Sequence, residues 1–100
     1  MNMEQYMVEI GIPSVLPPHF MSLIPAQRAR VNEMMEEGHI RSYTLSMDRG
    51  KLWVVMIAAS RREIRELIDT FPIMPYCSAE IFDLMFHDAV PYELPRISLN

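Results

Sequence analysis

Cysteine is nearly absent from this 100-residue sequence, where Cys77 stands alone. One thiol excludes an intrachain disulfide and a cysteine-rich zinc site. Histidine is sparse too. His19, His39 and His87 lie too far apart to form an HxxxH or HxH ligand pair. Glycine occurs three times against eight prolines, so the chain is punctuated mainly by proline. There is no basic excess. The formal net charge is -4, which disfavours general binding to a phosphate backbone. No apolar run reaches the length of a membrane span. Met1 to Gln5 show neither the basic nor the apolar region of a signal peptide. These absences predict a reduced, cytoplasmic protein that engages neither nucleic acid nor membrane.

What is present is a foldable core. Half of the residues are hydrophobic and 22% are charged, the balance of one globular domain. Residues 3–12 alternate, with Tyr6, Val8, Ile10 and Ile12 on one face and Gln5, Met7 and Glu9 on the other, the period of a strand. Pro13 to Pro18 end it. Residues 19–37 carry Phe20, Ile24, Val31 and Met34 at helical spacing, interrupted by Gln27. Pro25 predicts a short turn followed by a long helix that holds the proline in its first turn. Gly38 is placed to cap that helix in a left-handed conformation. Residues 40–47 read as a strand, with Arg41 and Tyr43 on the same side. Asp48 to Lys51 form a hairpin turn in which Gly50 is expected to take the positive φ. Residues 52–59 are apolar on both faces, as in a strand covered on both sides. Ser60 and Glu63 match a capping box. The helix behind it buries Ile64, Leu67, Ile68 and Phe71 and stops before Pro72. Residues 76–87 read as the last strand.

The order β-α-β-β-α-β predicts an α+β, ferredoxin-like fold, with two helices on one face of a four-stranded antiparallel sheet. The other face carries too many apolar residues to sit in water. A two-fold homodimer packing sheet on sheet, a dimeric α/β barrel, is the simplest cover. Residues 1–87 form the domain. Residues 88–100, with Val90, Leu94, Ile97 and Leu99, form a tail suited to a partner subunit, or else a free end.

At this point the chain resembles the muconolactone isomerase family. Glu37-Gly38-x-x-Arg41 is similar to the family's E-G-x-x-R helix end. Phe71-Pro72-Ile73-Met74-Pro75-Tyr76, followed by Glu80-Ile81, Leu84 and His87, is similar to its L-P-L-x-P-Y-x-x-x-E-[VI]-x-x-L-x-x-H pattern. The resemblance implies a dimeric α/β barrel, larger rings in some members, and a double-bond shift in a small unsaturated lactone by proton transfer. It implies neither metal nor organic cofactor. The family's first strand carries lysines and its second a further arginine. Here those stretches read Tyr6-Met7-Val8-Glu9-Ile10 and Thr44-Leu45-Ser46, so the substrate is not carried over with the fold.

Proton transfer needs a base within hydrogen-bond reach of an acidic C–H and a group that holds the developing enolate charge. Glu9 is a candidate base if its face lines a cavity; otherwise it is a solvated strand carboxylate. Glu80, placed by the family pattern, is a second candidate, or a structural ion-pair partner. His87 could shuttle a proton near neutral pH, or could bond the tail backbone. Arg41 could hold a carboxylate bidentately, or could pair with Glu36 or Glu37. Tyr43 could donate to an enolate oxygen, or could simply pack. Two functions remain open. One is an isomerase-like enzyme with Glu9, Glu80 and His87 as acid–base groups and Arg41 and Tyr43 as substrate ligands. The other is a non-catalytic dimeric barrel that binds a small apolar ligand or scaffolds an oligomer. A cofactor-free oxygenase is a third, smaller possibility.

Overall fold

The structure is a computed structural model, described here over residues 3–90. Strand β1 (Glu4–Gly11) leads through a proline-rich loop to a 3-10 turn (Phe20–Leu23) and helix α1 (Ile24–Glu37). Strands β2 (Ile40–Leu45) and β3 (Lys51–Ala58) follow as a hairpin, then helix α2 (Arg61–Ile68), a 3-10 turn (Met74–Tyr76) and strand β4 (Ser78–Asp83). The sheet order is β2-β3-β1-β4, and each neighbouring pair is antiparallel. This is the ferredoxin-like α+β arrangement.

The alternation of β1 decides which side of the sheet is the core. Tyr6, Val8 and Ile10 are buried, and their register partners Met56, Val54 and Leu52 on β3 are buried beside them. Val31 and Met34 of α1 and Ile64 and Ile68 of α2 close over that face. Each of these larger side chains contributes about 1.5–3 kcal/mol through burial. The opposite face carries Gln5, Met7 and Glu9 from β1, with Ile57, Val55 and Trp53 as their β3 partners. No helix covers it.

At α1 the local signals act as the sequence predicts; at α2 the Glu63 carboxylate bonds Ala59 N rather than the Ser60 N of a capping box, and the helix ends at Ile68, leaving Phe71 buried behind it. Pro25 lies at the start of α1 behind the 3-10 turn, and Gly38 caps the helix at φ 87. The Ser60 hydroxyl accepts from Glu63 N (3.1 Å), and Glu63 Oε1 accepts from Ala59 N (2.8 Å).

Four other expectations need correction. In the hairpin, Arg49 takes the positive φ (64) rather than Gly50. Gly50 N instead donates to Asp48 Oδ1 (2.9 Å), an Asx-type turn that fixes the backbone from the aspartate side. The second strand ends at Leu45 and is broken by a bulge between Ile40 and Ser42. The last strand stops at Asp83, because β1 offers Leu84 N only the Gln5 carbonyl (3.0 Å) before it runs out. Its start moves to Ser78, since Pro75 sits in a 3-10 turn. Gln27 does not interrupt the buried stripe of α1 but lies within it, 2% exposed. Of the tail, Leu94, Ile97 and Leu99 lie outside the described residues.

At Gly38 an added Cβ would meet nothing within 4 Å, so a side chain there costs only backbone strain. Gly38→Ala is expected to lower the stability by about 1 kcal/mol. Urea denaturation should show this as a lower midpoint at an unchanged m-value.

Candidate functional site

The structure distributes the candidate residues over both faces of the sheet. On the open face, Glu9 and Glu80 are register partners on β1 and β4, and Trp53 is the partner of Glu9 on β3. Glu9 is therefore flanked by an indole on one side and a carboxylate on the other. Trp53 Nε1 donates to Glu9 Oε1 (3.3 Å), and Lys51 Nζ lies 3.3 Å from Glu9 Oε2. The Glu9 side chain is 33% exposed and that of Lys51 50%, so this pair contributes at most about 1 kcal/mol. Glu80 is exposed and forms no ion pair among the described residues.

Tyr43 faces the other way. Its register partner is Val54, on the helix-covered side of the sheet. The bulge is the cause. Ile40 and Tyr43, three residues apart, both pair with helix-side residues, so the side shared by Arg41 and Tyr43 in an unbroken strand is lost. Arg41 is the extra residue at the bulge and is exposed. It makes no ion pair with Glu36 or Glu37 among the described residues. His87 is half-buried and lies in irregular chain beyond β4. Glu9 and Glu80 thus come together, while Tyr43 lies on the other face and Arg41 lies in β2, two strands from Glu9.

On the helix side, a cleft of about 1040 Å³ opens between the loop after β1, the first turns of α1 and the β2–β3 hairpin. Phe20, Ile24, Val31, Leu52 and Ile73 form apolar walls, and Gln27 and Tyr43 supply the polar part. The hydrogen bonds of Gln27 fix the roles of both groups. Ile73 N donates to Gln27 Oε1 (3.3 Å), so the amide must present its NH₂ group on the other side. Gln27 Nε2 then donates to the Tyr43 hydroxyl oxygen (3.2 Å). Because that oxygen is accepting, the phenolic proton is free to point elsewhere, and Tyr43 lines the cleft. Burial pushes the Tyr43 hydroxyl above its ordinary pKa, and the Gln27 hydrogen bond only partly opposes this. Tyr43 is therefore a neutral donor at physiological pH.

Three charged residues share the cleft lining: Arg28 on α1, and Asp48 and Arg49 in the hairpin turn. Asp48 Oδ1 accepts from Ser46 Oγ (2.7 Å) and Gly50 N (2.9 Å). These bonds hold the Asp48 carboxyl below the usual carboxylate range. The sequence reading missed Gln27, Arg28 and Asp48 as site residues. For Gln27 a signal existed, because an amide in an apolar helical stripe requires buried partners. Arg28 and Asp48 look like ordinary surface charges until the fold brings α1 and the hairpin together.

Two histidines serve local structure. His39 Nδ1 donates to the Ile57 carbonyl (3.0 Å), and His19 Nε2 meets the Tyr76 hydroxyl at the entry to β4. Cys77 is half-buried, and burial pushes its thiol pKa up, away from nucleophilic use. No cluster of His, Cys, Asp and Glu among the described residues could hold a metal ion. No helix there is long and apolar enough to cross a membrane.

One solved structure agrees with this architecture, and a family model matches most of the chain. The family model described as muconolactone delta-isomerase matches residues 5–89. The crystal structure of a muconolactone isomerase superposes with a TM-score of 0.67 at 17% identity, covering 92% of this chain and 99% of that one. The crystal structure of SnoaB, a cofactor-independent oxygenase from Streptomyces nogalater, gives a TM-score of 0.44 at 11% identity, covering 92% of this chain and 100% of that one. Among curated proteins, none matches the sequence.

Gln27→Leu keeps the bulk of the side chain but strands the Ile73 N–H without its acceptor. The expected loss of stability is about 1–3 kcal/mol. Chemical denaturation of the variant checks this, with Arg28→Leu, one residue away and exposed, expected to remain within about 0.5 kcal/mol of the parent.

Proposed function

The chain belongs to the muconolactone delta-isomerase family, and from that premise we propose that it is an isomerase-like enzyme. It moves a double bond by cofactor-free proton transfer within a small unsaturated lactone or carboxylic acid bound in the helix-side cleft. One observation carries this reading. Tyr43 accepts from Gln27 Nε2 and so keeps its own proton for a ligand oxygen in the cleft.

The chemistry follows from those positions. A base removes a proton from the carbon activated by the unsaturated carbonyl, and the C–H electron pair becomes a new C=C bond. The displaced π electrons reach the carbonyl oxygen as enolate charge, which the Tyr43 O–H stabilises. The same base then returns the proton to the far end of the conjugated system, so atoms and charge balance. Arg28 is positioned on the cleft lining to hold a substrate carboxylate. Asp48 is the carboxylate of that lining. Its hydrogen bonds keep it ionised at neutral pH, and a ligand that strips its solvent raises its basicity.

A second reading has its own observation. Glu9 and Glu80 are direct register partners on a face that also carries Met7, Trp53, Val55, Ile57 and Phe82. A second copy of the chain, packed face to face in a two-fold homodimer, would enclose them. Enclosed there, the two carboxylates would be the groups that take up and return the proton. His87 would then be the shuttle and Arg41 the carboxylate ligand. The homodimer suits either reading. The single cysteine suits a reducing cytoplasm in both.

Proton exchange and isomerisation of muconolactone in D₂O, followed by NMR, separate the two. Tyr43→Phe is expected to lower kcat/KM by about 10²-fold, with Asp48→Asn at least as damaging and Glu80→Gln within a few-fold of the parent. If Glu9→Gln and Glu80→Gln abolish exchange while Tyr43→Phe leaves it intact, the chemistry belongs to the open face and the cleft reading fails.

A further inference from the structure

The cleft is larger than a small monocyclic lactone requires. Its volume of about 1040 Å³ lies just above the roughly 300–1,000 Å³ range that accommodates drug-sized ligands. Its rim is apolar as well as its walls. Leu16 is 38% exposed, Met21 62%, Met35 41% and Leu45 50%, and all four line the cleft. They come from the loop after β1, the 3-10 turn, α1 and β2, four separate segments whose apolar side chains meet at one opening. Large apolar side chains gathered at a rim are exposed at a cost unless something covers them. Two of the four are methionines, which adapt to irregular partners.

The charge at this opening runs against the charge of the chain. The protein carries a net -4, yet the lining holds Arg28 and Arg49 against Asp48 alone. Asp48 is already engaged by Ser46 and Gly50. Neither arginine belongs to an ion pair among the described residues. Arg49 also occupies a left-handed backbone conformation, φ 64, that an arginine adopts only against a steric cost.

We propose that the natural ligand of this cleft is an anionic amphiphile, a carboxylic acid whose apolar body extends well beyond a small lactone and lies across the rim. The carboxylate meets the arginines, a second oxygen meets the Tyr43 hydroxyl, and the apolar body covers Leu16, Met21, Met35 and Leu45. This inference depends on the cleft being the ligand site, and it adds the size and class of the substrate.

Isothermal titration of the full chain with hexanoate, octanoate and decanoate tests it. Affinity should rise about tenfold from each acid to the next, as buried methylene groups require. Arg28→Gln should weaken all three acids by roughly tenfold. Met21→Glu, at an exposed position that tolerates the change, should weaken decanoate far more than hexanoate and so flatten the dependence on length. Equal affinity for hexanoate and decanoate, weakened in Tyr43→Phe, would overturn the extended ligand and leave the cleft reading standing. Binding that is absent, or indifferent to Tyr43→Phe, Arg28→Gln and Met21→Glu alike, would overturn both.

Discussion

The amide of Gln27 is the buried polar group on which the helix side of this fold turns. It accepts from Ile73 N and donates to Tyr43, so it joins α1 to the segment before β4 and to the β2 edge of the sheet. A backbone N–H on one side leaves the amide no freedom of orientation. That lack of freedom passes to Tyr43, whose oxygen must accept and whose proton must go elsewhere. A packing constraint inside α1 thereby becomes a chemical property of the cleft wall.

The two faces of the sheet divide the remaining chemistry. The covered face holds a phenol donor, two arginines and a hydrogen-bonded aspartate around apolar walls. The open face holds the Glu9–Glu80 pair, with Trp53 and Lys51 bonded to Glu9. A single bulge in β2 determines which of the two receives Tyr43. Without that extra residue, Tyr43 and Ile40 could not both face the helices, because side chains alternate along an unbroken strand. The bulge at the start of β2 therefore acts on a hydroxyl some way along the strand through register alone.

Much of the fold was legible in the residues. The alternation of β1, the two-sided apolar run of β3, the Ser60 cap and the Pro25 and Gly38 signals are each local, and each placed its element. The bulge at Arg41 was not legible, since it reflects how β2 meets β3 and not what β2 contains. Arg49 took the positive φ because Asp48 captured the Gly50 amide, a competition that composition does not reveal. The candidate site was legible in fragments. Tyr43 was a candidate donor that could equally have packed, and the fold sets it on the opposite face from Glu9. Gln27 looked like a flaw in an apolar stripe, whereas it anchors the site. Arg28 and Asp48 are distant in sequence and meet only around a tertiary cleft.

Nitrogen–proton correlation spectra of the labelled protein during titration with muconolactone test most directly whether the ligand enters between helix and sheet. The Gln27 side-chain amide and the backbone amides of Gly50 and Ile73 should move together, while the Trp53 indole N–H stays fixed. A shifted Trp53 indole beside an unmoved Gln27 amide would contradict the account and place the ligand on the open face.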